Sequence, residues 1–198
     1  MGTGRRAFAG VSGAGSSVRD DLPDGLSFRP LVPADYDFVI AHLDEWWGGR
    51  HVAPALPRLF FDHFHETGIA VGQGSELAGF LLGFLSPAER SVAYIHFVGV
   101  APAWRRDGVA RAMYERFFEL AAAHGRTSVR CLTSPVNTAS IAFHRALGFE
   151  LESGNGRVDG IPVHLDHDGP GEHRVLFVRR LAPHGHASSQ TETLADRP

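Results

Sequence analysis

Three short stretches of the chain carry residue types whose spacing could do chemistry. In "RRDGVAR", residues 105–111, an alternating apolar run gives way to a helical one. Backbone N–H groups at such a joint have no intrahelical carbonyl and lie at the positive end of the helix dipole, which suits an anion. Gly108 removes a side chain where a ligand must come close to backbone, Ala110 keeps the next approach open, and Arg105, Arg106 and Arg111 add charge; a pyrophosphate fits better than a single carboxylate. Upstream, "YIHFVGV" at 94–100 contains His96, whose neutral imidazole, of ordinary pKa near about 6.5, can accept a proton. Strand alternation puts His96 on one face with Tyr94 and Val98. Downstream, "NTASIAFHRALGF" at 137–149 places Asn137 at a helix start and His144 inside that helix.

The elements that must position these residues follow from period and punctuation. "LSFRPL" reads as a short strand, residues 33–47 as a helix opened by Pro33 and Asp35, and residues 53–67 as a second, Phe-rich helix with Pro57 near its start. Residues 68–73 and 77–86 read as a hairpin, 91–100 as a third consecutive strand, and 108–125 as a helix stopped by Gly125. A strand over 127–134, a helix from Asn137, and a last strand at 174–181 complete the order. Three consecutive strands followed by alternating helices and strands predict an α/β (α+β mixed) domain, rather than a regular parallel winding.

The whole chain has 198 residues, 43% hydrophobic and 21% charged, with a formal net charge of −3. That suits one soluble domain, which we place at residues 25–182. It lacks the global basic field of a nucleic-acid binder, and no apolar run approaches the roughly 20 residues that span a bilayer, so neither nucleic acid nor membrane is expected as partner. The only cysteine, Cys131, cannot form an intramolecular disulfide and reads as a small buried hydrophobe, which points to the cytoplasm. The Gly/Ser-rich segment 1–24 and the polar tail 183–198 are expected to be disordered. The N-terminus offers no convincing export or myristoylation signal.

The run "VGVAPAWRRDGVARAM" together with "SPVNTASIAFHRALGF" resembles the two signature segments of the GNAT superfamily of acyl-CoA-dependent N-acetyltransferases. Val100, Pro102, Arg105, Gly108 and Ala110 match the first pattern; Asn137, Ser140, Phe143, His144, Gly148 and Phe149 match the second. The resemblance covers roughly residues 26–182. It implies the GNAT fold: a central mixed, mostly antiparallel twisted sheet of about 7 strands, helices on both faces, and a splay between strands 4 and 5. It also implies acetyl-CoA as cosubstrate and no metal. The loop of Arg105, Arg106, Asp107, Gly108, Val109, Ala110 and Arg111 would hold the pyrophosphate, and the backbone of Val98 and Val100 the pantetheine arm. The Val98 N–H would stabilise the oxyanion of the tetrahedral intermediate, and Asn137, with Ser140 and Phe143, would line the cofactor side.

Two departures from the commonest family pattern bear on mechanism. His96 stands where many relatives carry a glutamate base, which makes it our candidate base, with Tyr94 beside it on the strand; a packed histidine is the bland alternative. His144 stands where the usual tyrosine protonates the departing thiolate, so it is the candidate acid, weighed against a helix-surface histidine with solvent as the donor. Tyr114 reads as packing. "EWWGGRHVAP" offers Trp46, Trp47 and Arg50 as an acceptor lip, and the 155–174 insertion offers Asp166 and Asp168 to attract a cation. These features favour a small cationic amine acceptor, aminoglycoside-type or polyamine-like. A protein lysine or N-terminus, and a noncatalytic acyl-CoA sensor, are the alternatives. The histidines at 164, 167 and 173 show no recognised metal spacing. The last strand and its neighbour are read as an exposed edge suited to homodimer formation.

Overall fold

The computed structural model describes residues 22–74 and 76–182. The expected N-terminal extension up to residue 21 and the tail from 183 lie outside the described residues. Nine strands and four α-helices are described: β1 (Ser27–Pro30), α1 (Asp35–Trp46), α2 (Leu59–His63), β2 (Ile69–Gln73), β3 (Glu76–Leu85), β4 (Val92–Val100), α3 (Val109–Ala123), β5 (Ser128–Thr133), α4 (Thr138–Ala146), β6 (Glu150–Leu151), β7 (Gly156–Val158), β8 (Ile161–Val163) and β9 (Val175–Arg180).

Seven strands form one sheet in the order β1-β2-β3-β4-β5-β9-β6, while β7 and β8 form a separate hairpin. Every pairing in the main sheet is antiparallel except β4 with β5. A helix connects those two strands, as a parallel pair requires. The last strand is not the sheet edge, because β6 pairs with its outer side at Glu150↔Val178 and Leu151↔Phe177. The second expected helix is broken: 3-10 turns at Ala53–Ala55 and His65–Thr67 flank an α2 of only 5 residues. Pro57, with no N–H to donate, cannot continue a helix from the first turn.

Each face of the sheet has its own core. Met113 and Phe117 from α3 and Ile141 from α4 pack with Val129, Cys131 and Phe177 on one face. Val39 and Leu43 from α1 and Phe61 from α2 pack with Phe80 and Leu82 on the other. Arg29 grips Asp35 with two hydrogen bonds of 2.8 and 2.7 Å, and the same carboxylate accepts from the Val32 N–H at 3.0 Å, tying β1 to the start of α1. Gly99 lets both tryptophans lie against β4. A Cβ there would stand 2.6 Å from the Phe80 ring, 3.0 Å from that of Trp47 and 3.1 Å from that of Trp46.

Candidate active site

β4 and β5 pair only at Val92↔Ser128, Ala93↔Val129 and Tyr94↔Arg130, and beyond that point they part. β5 continues to Thr133 against β9 while β4 continues to Val100 against β3, which leaves a wedge between them. The Ala101 N–H bonds the Ala78 carbonyl on β3 at 2.8 Å. Alternation along an antiparallel strand then turns the N–H and C=O of Val100 and Val98 away from β3 and into the wedge.

The strand-to-helix joint has the geometry of an anion cradle. Gly108 caps α3 with φ 83°, a left-handed conformation that glycine adopts without a Cβ penalty, and Arg106 also has positive φ, at 71°. Among the described residues, no N–H from 106 to 111 donates to a protein acceptor, and the first such bond of the helix is Ala112 N–H to Gly108 C=O at 3.0 Å. The arginines divide. Arg105 is committed inward, to the carbonyls of Val100 at 3.2 Å and of Trp46, and Arg111 lies 3.6 Å from Glu115. Arg106 is exposed and, alone of the three, makes neither a side-chain hydrogen bond nor an ion pair among the described residues.

A cleft of about 450 Å³ runs from this wedge to the loop after α1. His96 stands in it beside a β-bulge: Leu82 faces Phe97 but Gly83 faces Ile95, so His96 is the extra residue of β4. A bulge re-aims side chains. His96 keeps the face of Tyr94, but Phe97 follows it onto that same face and Val98 packs into the opposite core, which corrects the simple alternation. The ring stacks on Phe60 with centroids 3.9 Å apart, and Nε2 is 3.1 Å from the Ala55 carbonyl. A carbonyl only accepts, so Nε2 carries the proton and Nδ1 keeps its lone pair. Burial holds the pKa below its ordinary value, against the opposing pull of the Ala55 bond and Asp168.

His144 lies elsewhere than expected. It is 6% exposed and stacks on Phe177 at 4.7 Å, so it belongs to the core rather than the helix surface. Its Nδ1 donates to the Ser140 carbonyl at 2.7 Å, and Nε2 accepts from the Tyr114 hydroxyl at 2.9 Å. Burial lowers its pKa and so favours the neutral ring, and His144 and Tyr114 both border the cleft from the core side. Tyr114, read as packing, is the partner the sequence did not suggest, and burial raises its pKa. Asn137 caps α4 by accepting the Ser140 N–H at 3.2 Å, which leaves its amide nitrogen for the cleft that it lines. Phe143 packs edge-on against Tyr114 at 5.4 Å.

The acceptor lip is only partly as expected. Trp46 is 5% exposed and packs in the core, whereas Trp47 lines the cleft over Phe97. Arg50 is exposed at the rim, where Nε donates to the Trp47 carbonyl at 3.2 Å. Asp44, which sequence reasoning missed, shapes this lip by accepting from the N–H groups of Val52 at 2.8 Å and Ala53 at 2.9 Å and by binding His51 at 2.9 Å. The His51 bond leads the causes that lower its pKa.

The acidic residues of the insertion do not line the cleft as free charges. Arg174 takes Asp168 at 2.6 Å and Glu172 at 2.7 Å, while Asp166 accepts from the Gly171 N–H at 2.7 Å in an exposed turn. Tyr94 faces a neighbouring cavity, not this cleft. Among the described residues, no group of three or more His, Cys, Asp or Glu side chains could hold a metal, and no helix is long and apolar enough to cross a membrane.

Residues 36–149 match the profile of the Acetyltransferase (GNAT) family. An L-2,4-diaminobutyric acid acetyltransferase from Vibrio parahaemolyticus is 31% identical over 121 residues, 60% of this chain and 65% of the relative. An L-methionine sulfoximine/L-methionine sulfone acetyltransferase from Pseudomonas aeruginosa is 28% identical over 142 residues, 69% of this chain and 81% of the relative. The chain spans less than two thirds of the diaminobutyric acid and mycothiol acetyltransferases that it matches. In fold it is similar to Ard1 from Thermoplasma volcanium, with TM-score 0.65, 19% identity, and coverage of 80% of this chain and 99% of that one. It is also similar to the diaminobutyrate acetyltransferase EctA from Paenibacillus lautus, with TM-score 0.58, 22% identity, and coverage of 77% and 93%. A profile covering more than half of the chain, on a mixed sheet that splays between β4 and β5, shows that the chain belongs to the GNAT acetyltransferase family.

Proposed function

We propose that the protein is an acetyl-CoA-dependent N-acetyltransferase that acetylates the primary amine of a small acceptor carrying a carboxylate, by direct attack with both substrates bound. The tautomer of His96 carries this reading. With Nε2–H tied to the Ala55 carbonyl and the ring kept neutral by burial, the Nδ1 lone pair is the group available to take a proton from an incoming ammonium.

The free N–H groups of 106–111 suit a pyrophosphate, and the Val98 and Val100 backbone groups suit the amides of a pantetheine arm inserted in the wedge. Acetyl-CoA supplies the acetyl thioester, an electrophile that carries its own leaving thiol. The Val98 N–H is the donor for the thioester carbonyl oxygen. His144 serves as a core bond to Tyr114, and water protonates the thiolate, whose ordinary pKa near about 8.5 makes it a tolerable leaving group.

Arg50 supports the carboxylate-bearing acceptor, because its guanidinium stands at the rim with one carbonyl as its partner and can bind a carboxylate through two parallel bonds. The relatives named for diaminobutyric acid and methionine sulfoximine act on amino acids. The reading of a polycationic acceptor loses part of its support, because Asp168 is engaged by Arg174 and Asp166 by the Gly171 N–H.

Release of free thiol from acetyl-CoA, measured on amino acids and on their decarboxylated amines, tests this. Arg50→Ala is expected to raise KM for the amino acid relative to its decarboxylated amine by about tenfold or more. Equal effects on both would remove the carboxylate from the proposal. Acetyl-CoA binding without turnover on any amine, peptides and polyamines included, would instead indicate a noncatalytic acyl-CoA module.

A further inference from the structure

Space for the acceptor does not end at His96. A second cavity, of about 270 Å³, opens beside the reaction cleft at the ends of β3, β4, β5 and β9, with Phe84, Tyr94, Leu132 and Leu176 among its walls. Cys131 and Leu132 line both spaces, so the two adjoin across β5. Tyr94 lies two residues before His96 on the same face, which a strand rise of about 3.3 Å per residue puts roughly 7 Å from it. The strands part at Tyr94↔Arg130, so the mouth of the wedge and this cavity share one corner.

The lining says what the cavity accepts. Its walls are mainly aromatic and aliphatic. The charged groups stand at its rim, where Arg130 lies 3.3 Å from both Glu89 and Glu152 and His167 completes the polar lining. An apolar group that passes this rim and lies against the walls loses its exposure to water, which is the favourable step here. The volume suits one ring or a branched alkyl chain rather than a peptide or a multi-ring sugar.

We infer that this cavity receives the side chain of the acceptor and that this side chain is apolar, an aryl or branched alkyl group on the carbon that bears the amine. Arg50 would then read the carboxylate, His96 the amine, and the Phe84–Tyr94–Leu132–Leu176 cavity the side chain. The Tyr94 hydroxyl makes no hydrogen bond among the described residues, and Tyr94 acts here as a specificity wall rather than in proton transfer. The inference rests on the acetyltransferase reading.

The test compares phenylalanine with alanine, which share amine and carboxylate, as acceptors in thiol release. The expected result is a kcat/KM ratio favouring phenylalanine by about tenfold or more. That ratio falls at least about tenfold in Leu176→Trp, which fills the cavity. Leu176→Ala, which enlarges it, shifts preference toward naphthylalanine and keeps the inference testable if the tryptophan variant does not fold. Equal kcat/KM for phenylalanine and alanine in the wild type, or a ratio unmoved by either variant, overturns the side-chain assignment while leaving acetyl transfer standing. No thiol release with any amine overturns the acetyltransferase reading instead. Calorimetric binding of phenylalanine to the acetyl-CoA-loaded protein then reads the cavity by itself: binding lost in Leu176→Trp supports it, and no binding overturns it.

Discussion

Replacing His96 by alanine removes a bond to Ala55 and a stack on Phe60, and with them the base of the proposed reaction. The Nε2 bond to Ala55 is an ordinary neutral hydrogen bond, worth about 1 kcal/mol net, and the stack on Phe60 is worth about 0.5–1.5 kcal/mol. Their sum, about 2 kcal/mol, corresponds to a Tm lower by about 4–8 °C in a domain of this size, so the variant folds. In the proposed reaction the ring also takes a proton from the acceptor ammonium, and losing a general base costs about a hundredfold or more in rate. Thiol release at saturating acetyl-CoA, followed from about pH 5.5 to 9, reads it. The base works when deprotonated. Because burial lowers its pKa, the wild-type kcat/KM should rise through a value below about 6.5 and then lose dependence on this group. His96→Ala should lack that acid limb, and added imidazole should restore part of the rate. A variant that folds, keeps its rate within about threefold of wild type and retains the same acid limb would make the ring a packing residue and refute the base.

Gly108→Glu should abolish coenzyme A binding by calorimetry, since it places a side chain and a negative charge at a residue with φ 83° in the cradle; unchanged affinity would put the pyrophosphate elsewhere. Tyr114→Phe leaves the buried Nε2 of His144 without its donor and should cost about 1–3 kcal/mol in urea denaturation, a loss that equal midpoints would contradict. Both His96 and His144 have folded-state pKa values below the unfolded value of about 6.5, so the unfolded chain takes up protons first as pH falls. Their contribution to stability is complete above that pH and is lost from there toward the folded-state values. Urea midpoints that do not fall between about pH 7.5 and 5.5 would contradict it.

The strand-to-helix joint at Gly108 was readable because its parts are local. The glycine before a helical run, the small residue after it and the unpartnered N–H groups all lie within one turn, and the structure shows the same joint. Asn137 was readable on the same grounds, as a cap whose partner is only three residues away. The broken second helix was half legible: Pro57 marked the interruption, yet the long Phe-rich run suggested a continuous helix that the fold does not form.

The sequence by itself determined the order of elements from β1 to α4, the splay-bearing sheet that its two signature segments imply, and which loop leaves its N–H groups free for an anion. These depend on periodicity and on neighbours close in the chain. Only the tertiary structure decided that Phe97 shares the face of His96 while Val98 leaves it. Alternation fails where one extra residue bulges, and that bulge is a property of the pairing between β3 and β4. It also decided that Trp46 is core while Trp47 is lip, through the space left by Gly99, and that His144 is locked by a tyrosine from another helix. The acidic insertion changed meaning for the same reason: whether Asp168 and Glu172 act as free charges depends on where Arg174 ends up, and an ion pair made by the folding of a loop leaves no period in the sequence.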